Sequence, residues 1–430
     1  MTTVATRFEQ SGHASHITLR VQLKLLESMR FSVLIPTFNR ATFLRQAIDS
    51  ALSQTYSDRE IIVIDDGSTD ATRNTVSSYG TQIHYVRKEN AGKAAALNTG
   101  IRLSRGDVLI VLDDDDFFPP GALASHADAL KRDLSADFSY GKFVRFRGDA
   151  PPLLSNLQDM EFVPRRDPRR LAVKLMENCF LPNPSWAVRR AAQLAAGSYD
   201  EELRYSEDYD MILRLAKRSE GIFCDGVVLF QRKHLAHRGP LSEQTIALDV
   251  VDKWLKYDAR IFEKIDHTWP LDDFRPFAGP SHSCAEAALL LQKGIILFQR
   301  KVYEGSLHAL LRYRRSLEFR APTSEELAIA AGLLGCRHGL ADVVLGGPTR
   351  EQVINAFRAA DWPLWTRLAF ASQLRWRVRA AAAAADADYA RKLIHFSAKA
   401  FGLVPTIAVL GSRYSAGRRM WMQNYRCDAK

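Results

Sequence analysis

The stretch VLIVLDDDDFFPP, residues 108–120, combines the two features that decide the fold. A run of apolar residues typical of a buried strand is followed at once by four aspartates, Asp113 to Asp116. Adjacent carboxylates repel one another, and at the end of a buried strand they are costly unless a cation neutralises them. The stretch therefore predicts a core strand that ends in a metal site.

The segments before this strand alternate between two hydrophobic patterns. Strands are favoured by FSVLIP (31–36), EIIVIDD (60–66) and TQIHYVRK (81–88), and helices by FLRQAIDSALSQ (43–54) and AGKAAALNTGIRLS (91–104). Strands alternating with helices of this length indicate βαβ units and a mostly parallel sheet. Ligands of such sheets bind at the carboxyl ends of the strands, so PTFN, DDGSTD and DDDD are expected along one edge.

Length and composition indicate a globular protein of two domains. The chain has 430 residues, of which 47% are hydrophobic and 25% charged. Its five cysteines are scattered without a CxxC pair, which favours a reducing compartment and argues against a zinc ribbon. No apolar signal segment and no run of apolar residues long enough for a bilayer is evident, so a cytoplasmic location is expected.

The strand pattern fades after about residue 240. We therefore expect an N-terminal extension at 1–30, an α/β domain at 31–240 and an all-helical C-terminal domain at 241–430. Within the last domain, Thr323 with Glu326 and Thr349 with Gln352 each match a capping box. Of the net charge of +10, residues 350–430 carry +9, from 14 Lys or Arg against 5 Asp or Glu. The C-terminal domain is thus basic from about residue 350.

Four segments together resemble a known family. These are VLIPTFNR (33–40), IIVIDDGSTD (61–70), ENAGKAAALNTGI (89–101) and GDVLIVLDDDD (106–116), and they look like the inverting glycosyltransferases of family 2. Further likeness extends through LPNPSWAVRR (181–190) and SEDYD (206–210) to VVLFQRKH (227–234), so it covers roughly residues 31–240. The resemblance implies a GT-A fold, which is Rossmann-like with a mostly parallel sheet flanked by helices, and transfer of a sugar from a nucleotide-diphosphate donor.

The resemblance also implies a donor site along the strand ends. An acid of the DDGS segment reads the base in that family, and here this is Asp65 or Asp66. The end of the first strand, with Pro36, Thr37, Asn39 and Arg40, would meet the nucleoside, and Lys93 would face the diphosphate. By family frequency the base is uracil, although guanine or thymine would suit the same acids.

A metal-binding DXD motif is implied by the four aspartates. Asp113 and Asp115 match its two acids and Asp114 its variable position, so Asp113 and Asp114 also border the nucleotide sugar. Mn²⁺ or Mg²⁺ is the implied cofactor, since hard divalent cations prefer carboxylate oxygens and share them with phosphates. Asp116 would orient the loop or remain a solvated turn residue. His234 matches a histidine that some members place near the metal, although His237 lies only three residues away.

The general base of an inverting transfer must take the proton of the acceptor hydroxyl. The family carries it in a Glu-Asp pair, which here is Glu207 and Asp208, and we choose Asp208. The plainer interpretation is a helix N-terminus that carries acids because of the helix dipole. Trp186 lies where the family has a wall of the acceptor site, although a buried core tryptophan is the commoner case.

The acceptor is expected to be a saccharide or a lipid-linked molecule, as in bacterial polysaccharide or glycoconjugate assembly. In WPLWTRLAFASQLRWRVR (362–379), Trp362, Trp365, Phe370 and Trp376 alternate with arginines. Together with FGLVPTIAVLGSRYSAGRRMWMQ (401–423), this pattern suits peripheral binding to an anionic membrane surface, with arginines toward the headgroups. An ordinary basic helical face or a protein contact is the equal alternative, and nothing indicates a nucleic-acid partner.

Three other functional classes fit less well. A nucleotidyltransferase would have a glycine-rich loop after the first strand, and PTFNR has no glycine. A phosphatase of the haloacid dehalogenase type would open with its acidic motif and follow it with Thr, whereas Phe117 follows here. A non-catalytic protein that binds a nucleotide sugar or a partner remains the principal alternative, although every expected acid is present.

Overall fold

A computed structural model describes residues 29–150, 170–233, 250–276, 285–335 and 340–411. These residues form two compact units. The first contains the described residues up to 150 and those from 181 to 233, and the second contains the remainder. Residues 170–180, which the sequence analysis assigned to the first domain, pack with the second unit.

The first unit is built around a seven-stranded sheet with the order β3-β2-β1-β4-β6-β5-β7. Among the described strands β6 alone is antiparallel to its neighbours β4 and β5, and the other pairings are parallel. The strands are β1 (Phe31–Thr37), β2 (Arg59–Asp65), β3 (His84–Arg87), β4 (Val108–Val111), β5 (Phe138–Phe146), β6 (Trp186–Arg189) and β7 (Ile222–Arg232). The sheet is therefore mostly parallel, as predicted.

Seven helices come between these strands in the order of the described chain. They are α1 (Ala41–Leu52), α2 (Thr72–Ser77), α3 (Lys93–Leu103), α4 (Ala122–Arg132), α5 (Leu171–Glu177), α6 (Arg190–Ala196) and α7 (Glu207–Arg218). Of these, α5 belongs to the second unit. Every residue of β1 and β4 is buried, which explains their uninterrupted apolar sequences.

Every described secondary-structure element of the second unit is a helix, as predicted. Its further helices are α8 (Val250–Thr268), α9 (Glu286–Gln299), α10 (Tyr303–Ser316), α11 (Ser324–Ala330), α12 (Ala341–Leu345), α13 (Pro348–Ala359), α14 (Leu364–Ala371), α15 (Leu374–Ala383), α16 (Ala387–Phe401) and α17 (Leu403–Gly411). Its core contains a cluster of aromatic rings. Phe357 packs edge-on against Phe298, Phe370 and Phe401 at centroid distances of 5.4 to 6.1 Å.

Two expectations for the second unit need correction. Thr323 and Glu326 form the predicted capping box, with both reciprocal hydrogen bonds, but α13 begins at Pro348 and its N-cap is Gly347. Thr349 thus lies inside the helix and caps nothing. One of the two equal interpretations placed Trp362 and Phe370 against a membrane, but both are buried in the core, with 3% and 0% of their surfaces exposed. In the part of the chain that the structure describes, we find no helix with the length and apolar character needed to cross a membrane.

Candidate active site

The carboxyl ends of β1, β2 and β4 lie side by side in the sheet. The β1–β2 ladder ends at Thr37 opposite Asp65, and the residue after β4, Leu112, donates a 2.9 Å backbone hydrogen bond to Leu34 of β1. Pro36 lies beyond the register that β1 shares with β4, so its missing N–H costs no bond on that side. The three polar loops therefore meet at one edge, as predicted.

Three of the four consecutive aspartates can share a cation. Carboxylate oxygens of Asp113, Asp115 and Asp116 lie within 4.8 Å of one another, and Asp115 and Asp116 are buried. Mg²⁺ and Mn²⁺ favour such oxygen ligands and leave room for phosphate. The donor set thus fits the divalent ion that the family implies.

Arg232 fixes this loop from the last strand of the sheet. Its backbone N–H donates to Asp116 Oδ1 at 2.8 Å, and its Nε donates to the backbone oxygen of Asp115 at 3.1 Å. The guanidinium lies over the rings of Phe43 and Phe117, 5.0 and 4.8 Å from their centroids. Sequence analysis missed Arg232, although it lies two residues before His234 in the matched QRKH segment.

Arg40 neutralises the middle of the aspartate run. Its Nη1 lies 2.6 Å from Asp115 Oδ2 and 3.1 Å from Asp114 Oδ1. Burial alone would lower the pKa of Arg40, but the two carboxylates raise it, so the guanidinium stays charged. Thr37 Oγ1 donates to Asp114 Oδ2 at 2.8 Å. Burial raises the pKa of Asp114 to about 6 against the opposing effect of Arg40.

Lys93 links the metal-binding loop to the pair of acids on α7. Its Nζ lies 2.7 Å from Asp113 Oδ1 and 3.6 Å from Glu207 Oε1. Burial alone would lower the pKa of Lys93, but Asp113, Glu207 and Asp208 raise it. Gly92, which precedes it, has a φ of 95°, a conformation that favours glycine. This turn starts α3 so that Lys93 faces the acids.

Glu207 and Asp208 open helix α7, where the helix dipole favours negative charge. Ser206, just before them, has a φ of 63° in the left-handed region. Burial, aided by Asp208 and opposed by Lys93, raises the pKa of Glu207 to about 7. Burial likewise raises the pKa of Asp208, again against Lys93. Such a raised pKa suits a group that must accept a proton near neutral pH.

Asp65 and Asp66 are both buried and both hold neighbouring loops. Asp65 accepts hydrogen bonds from the Ser68 backbone N–H at 2.7 Å and the Tyr85 hydroxyl at 2.6 Å. Asp66 accepts from Lys88 Nζ at 2.7 Å and from the backbone N–H groups at 91 and 92 at 3.0 and 2.7 Å. Sequence analysis missed Tyr85 and Lys88, because no local pattern marks a residue whose partner lies on the adjacent strand.

Asn39 joins the first two strand ends to each other. Its backbone φ is 56°, its N–H donates to Ser68 Oγ at 2.9 Å, and its Oδ1 accepts from Thr69 N–H at 2.7 Å. Its side chain thus anchors the DDGST turn.

Trp186 and His234 remain from the sequence analysis. Trp186 begins β6 and is 2% exposed, so it belongs to the core. His234 and His237 lie outside the described residues. The structure therefore brings together Thr37, Asn39, Arg40, Asp65, Asp66, Lys93, Glu207, Asp208 and the aspartate run 113–116.

Comparison with known proteins agrees with this arrangement. Residues 32–193 match the family model "Glycosyl transferase family 2". An uncharacterized glycosyltransferase of Rickettsia typhi is 33% identical over 207 residues, which cover 47% of this chain and 64% of that protein. Chondroitin synthase of Escherichia coli is 30% identical over 191 residues, covering 43% of this chain and 26% of that protein. The chain thus spans less than two thirds of the length of these relatives.

Among solved structures, Staphylococcus aureus TarS 1–349 in complex with UDP-GlcNAc is similar at 17% identity and a TM-score of 0.47. The match covers 85% of this chain and 90% of that chain. This likeness is too distant to inform function. The family match and the mostly parallel sheet agree, and the first unit of this chain, through residues 32–193, belongs to glycosyltransferase family 2 and has the GT-A fold.

Proposed function

We propose that the chain is a metal-dependent inverting glycosyltransferase that moves a sugar from a nucleotide diphosphate to a hydroxyl of a saccharide or lipid-linked acceptor. One observation carries the proposal. Lys93 lies between the candidate metal ligand Asp113, at 2.7 Å, and the candidate base pair, 3.6 Å from Glu207. Groups for diphosphate binding and for proton transfer therefore lie side by side.

In this mechanism Asp113 and Asp115 would hold Mn²⁺ or Mg²⁺, and the bound ion would offset the charge of the donor diphosphate. Lys93 supplies a further positive charge to the same oxygens. Asp65 or Asp66 accepts a hydrogen bond from the base, which fixes the nucleoside against the end of β1 at Thr37. UDP is the favoured nucleotide by family frequency.

Asp208 takes the proton of the acceptor hydroxyl as its oxygen attacks the anomeric carbon. The acceptor oxygen forms the new bond, the bond to the diphosphate breaks on the opposite face of the sugar, and the configuration inverts. Burial favours this role because it raises the pKa of Asp208 and makes the carboxylate a stronger base. Glu207 lies 3.6 Å from Lys93 and offsets part of the positive charge of that lysine.

Calorimetric titration of the full chain with UDP, GDP and dTDP, each with Mn²⁺ and with EDTA, tests the donor site. We expect one nucleotide to bind, and only with metal. The Asp115→Asn variant should lose this binding. Asp225→Asn, which alters an exposed carboxylate of the same unit, should retain it. Binding that is insensitive to EDTA would contradict the metal role.

The second experiment separates catalysis from binding. Asp208→Asn should bind the nucleotide as the parent does, while turnover with an acceptor library falls at least about a hundredfold. Unchanged turnover would remove Asp208 as the base. Proton NMR of the product reports whether the anomeric configuration is inverted. Donor binding without turnover of any acceptor by the parent would instead favour a non-catalytic nucleotide-sugar-binding protein.

A further inference from the structure

The second unit exposes large apolar side chains on two helices that pack together, α14 and α17. Leu364 and Trp365 at the start of α14 are 45% and 65% exposed, and Leu403, Val404 and Ile407 of α17 are 66 to 68% exposed. We refer to these five side chains as the apolar patch. Scattered single apolar residues are normal on a surface, but a group on adjoining helices marks a binding surface.

Helix α17 exposes an apolar face to solvent and buries its polar residue, Thr406, which is the reverse of the usual pattern of a surface helix. Its exposed positions are 403, 404, 407, 408 and 411, which form one helical face without a charged or polar side chain. On the opposite face Thr406 is buried and its hydroxyl lies 2.9 Å from that of Ser397. A surface helix normally turns its polar face to water. This face is therefore built to meet something less polar than water.

Positive charge is concentrated in the part of the second unit that carries the apolar patch, because α15 and α16, which also pack against α17, bear six Lys or Arg residues. Residues 362–411 contain seven Lys or Arg and two Asp or Glu. The two acids, Asp386 and Asp388, lie at the start of α16, where Asp386 caps the helix and Asp388 pairs with Lys392 at 2.6 Å. Helices α14, α15 and α17 contain no acid. The surface that carries the patch is therefore basic.

Arg367 places one of these charges directly beside α17. A Cβ added to Gly402 would lie 3.5 Å from Arg367 Nη1, so the guanidinium borders the residue that precedes Leu403. Within the described residues, no carboxylate oxygen lies within 4.0 Å of this guanidinium. Lys399 of α16 lies about one turn before Gly402 and is exposed, and Arg379 of α15 is exposed as well.

We propose that the apolar patch docks the chain onto an anionic lipid bilayer, with α17 lying in the interfacial plane. Apolar side chains would enter the boundary between headgroups and acyl chains, while Arg367, Arg379 and Lys399 would contact anionic headgroups. A second copy of the chain would bring two surfaces of the same positive charge together, which is unfavourable. An anionic bilayer matches both the apolar face and the charge around it.

The docking surface overlaps in part with the segments that the sequence suggested. Trp365 and α17 belong to both, whereas Trp362 and Phe370 are core residues. Helix α17 supplies three of the five exposed side chains of the patch. The proposal does not rest on glycosyl transfer, because all of its residues lie in the second unit.

Co-sedimentation of the full chain with vesicles tests the proposal. One set contains phosphatidylcholine alone and the other phosphatidylcholine mixed with phosphatidylglycerol. We expect binding to the mixed vesicles that weakens with salt, and weaker binding to the neutral ones. The triple change Leu403→Ser, Val404→Ser and Ile407→Ser should weaken binding at least about tenfold, the effect of losing roughly two buried methylene groups.

Phe319→Ser provides the matched control, because Phe319 is 95% exposed and belongs to the same unit but not to the patch. It should bind vesicles as the parent does. If the triple variant folds poorly, the Trp365→Ser variant provides an independent test, because it should lose part of the vesicle binding. Arg379→Gln with Lys399→Gln should reduce binding to the mixed vesicles while leaving binding to neutral ones unchanged.

A different partner at the apolar patch would give different results in these experiments. Light scattering that shows a dimer of the parent, lost in the triple variant, without any vesicle binding would assign the patch to a second copy. Vesicle binding that appears only when residues 412–430 are removed would assign it to the chain's own C-terminal segment. Equal vesicle binding by parent and triple variant would also overturn the proposal. In every case nucleotide binding by the first unit should be unchanged, so a failure here is distinct from a failure of the proposed activity.

Discussion

Replacing Glu207 with glutamine is expected to stabilise the protein at alkaline pH. Glu207 is buried, and burial raises its pKa from 4.5 to about 7 despite the nearby Lys93. The native state therefore holds this proton more tightly than the unfolded state does. Stability from the protonated form is fully present below the ordinary pKa and is lost as the pH rises through about 7.

The size of the effect follows from that difference in pKa. The rise of the Glu207 pKa from 4.5 to about 7 means that the proton affinity increases by roughly 2.5 powers of ten. At about 1.36 kcal/mol for each tenfold change in affinity, this corresponds to about 3 kcal/mol. Glutamine cannot ionise, so Glu207→Gln should raise the free energy of unfolding by about that amount at pH 8. At pH 5, where the native glutamic acid is already protonated, the gain should fall to below about 1 kcal/mol.

Urea unfolding at both pH values, followed by circular dichroism, measures the difference. Asp210→Asn is the matched control, because Asp210 lies on the same helix and is paired with Arg214 at 2.7 Å. That change should lower stability by about 1 kcal/mol. A Glu207→Gln variant that is no more stable than the parent at pH 8, or whose gain is the same at both pH values, would refute the reasoning.

Three further changes test separate features. Arg40→Met removes the cation that lies 2.6 Å from Asp115 and should tighten Mn²⁺ binding about fivefold by spin resonance, the equivalent of about 1 kcal/mol; weaker binding would show that Arg40 does not compete with metal. Lys93→Met should weaken nucleotide binding about tenfold in calorimetry through the loss of one charge-assisted contact, and unchanged affinity would contradict its role. Thr323→Ala should cost about 1 kcal/mol of stability and Thr349→Ala less than about 0.5 kcal/mol, and equal losses in urea unfolding would contradict the observed caps.

The first half of the sheet could be predicted because its strands are continuous apolar runs. Strands β1 and β2 begin and end within one residue of the predicted segments. The antiparallel insertion of β6 between β4 and β5 was not predicted, because WAVR is short and no neighbouring turn reveals its partners. Pairing between strands distant in sequence is decided by packing rather than by local pattern.

The acids of the site could be predicted, but their partners could not. Carboxylates after strands indicate a common edge, whereas the approach of Arg40 to Asp114 and Asp115 depends on how the turn after β1 folds back. The two capping-box motifs make the same point. Thr323 caps its helix, but the glycine and proline before Thr349 start α13 earlier, because proline is favoured at the first helical position.

Arg232 sets an order of assembly for the site. It contacts the loop of Asp115 and Asp116 from 116 or more residues further along the chain. A ribosome adds roughly 5 to 20 residues per second, so about 6 to 23 seconds separate the synthesis of these partners. The loop of Asp115 and Asp116 can form its contacts with Arg232 only after that interval. The candidate active site is therefore complete only when β7, which carries Arg232, has been synthesised.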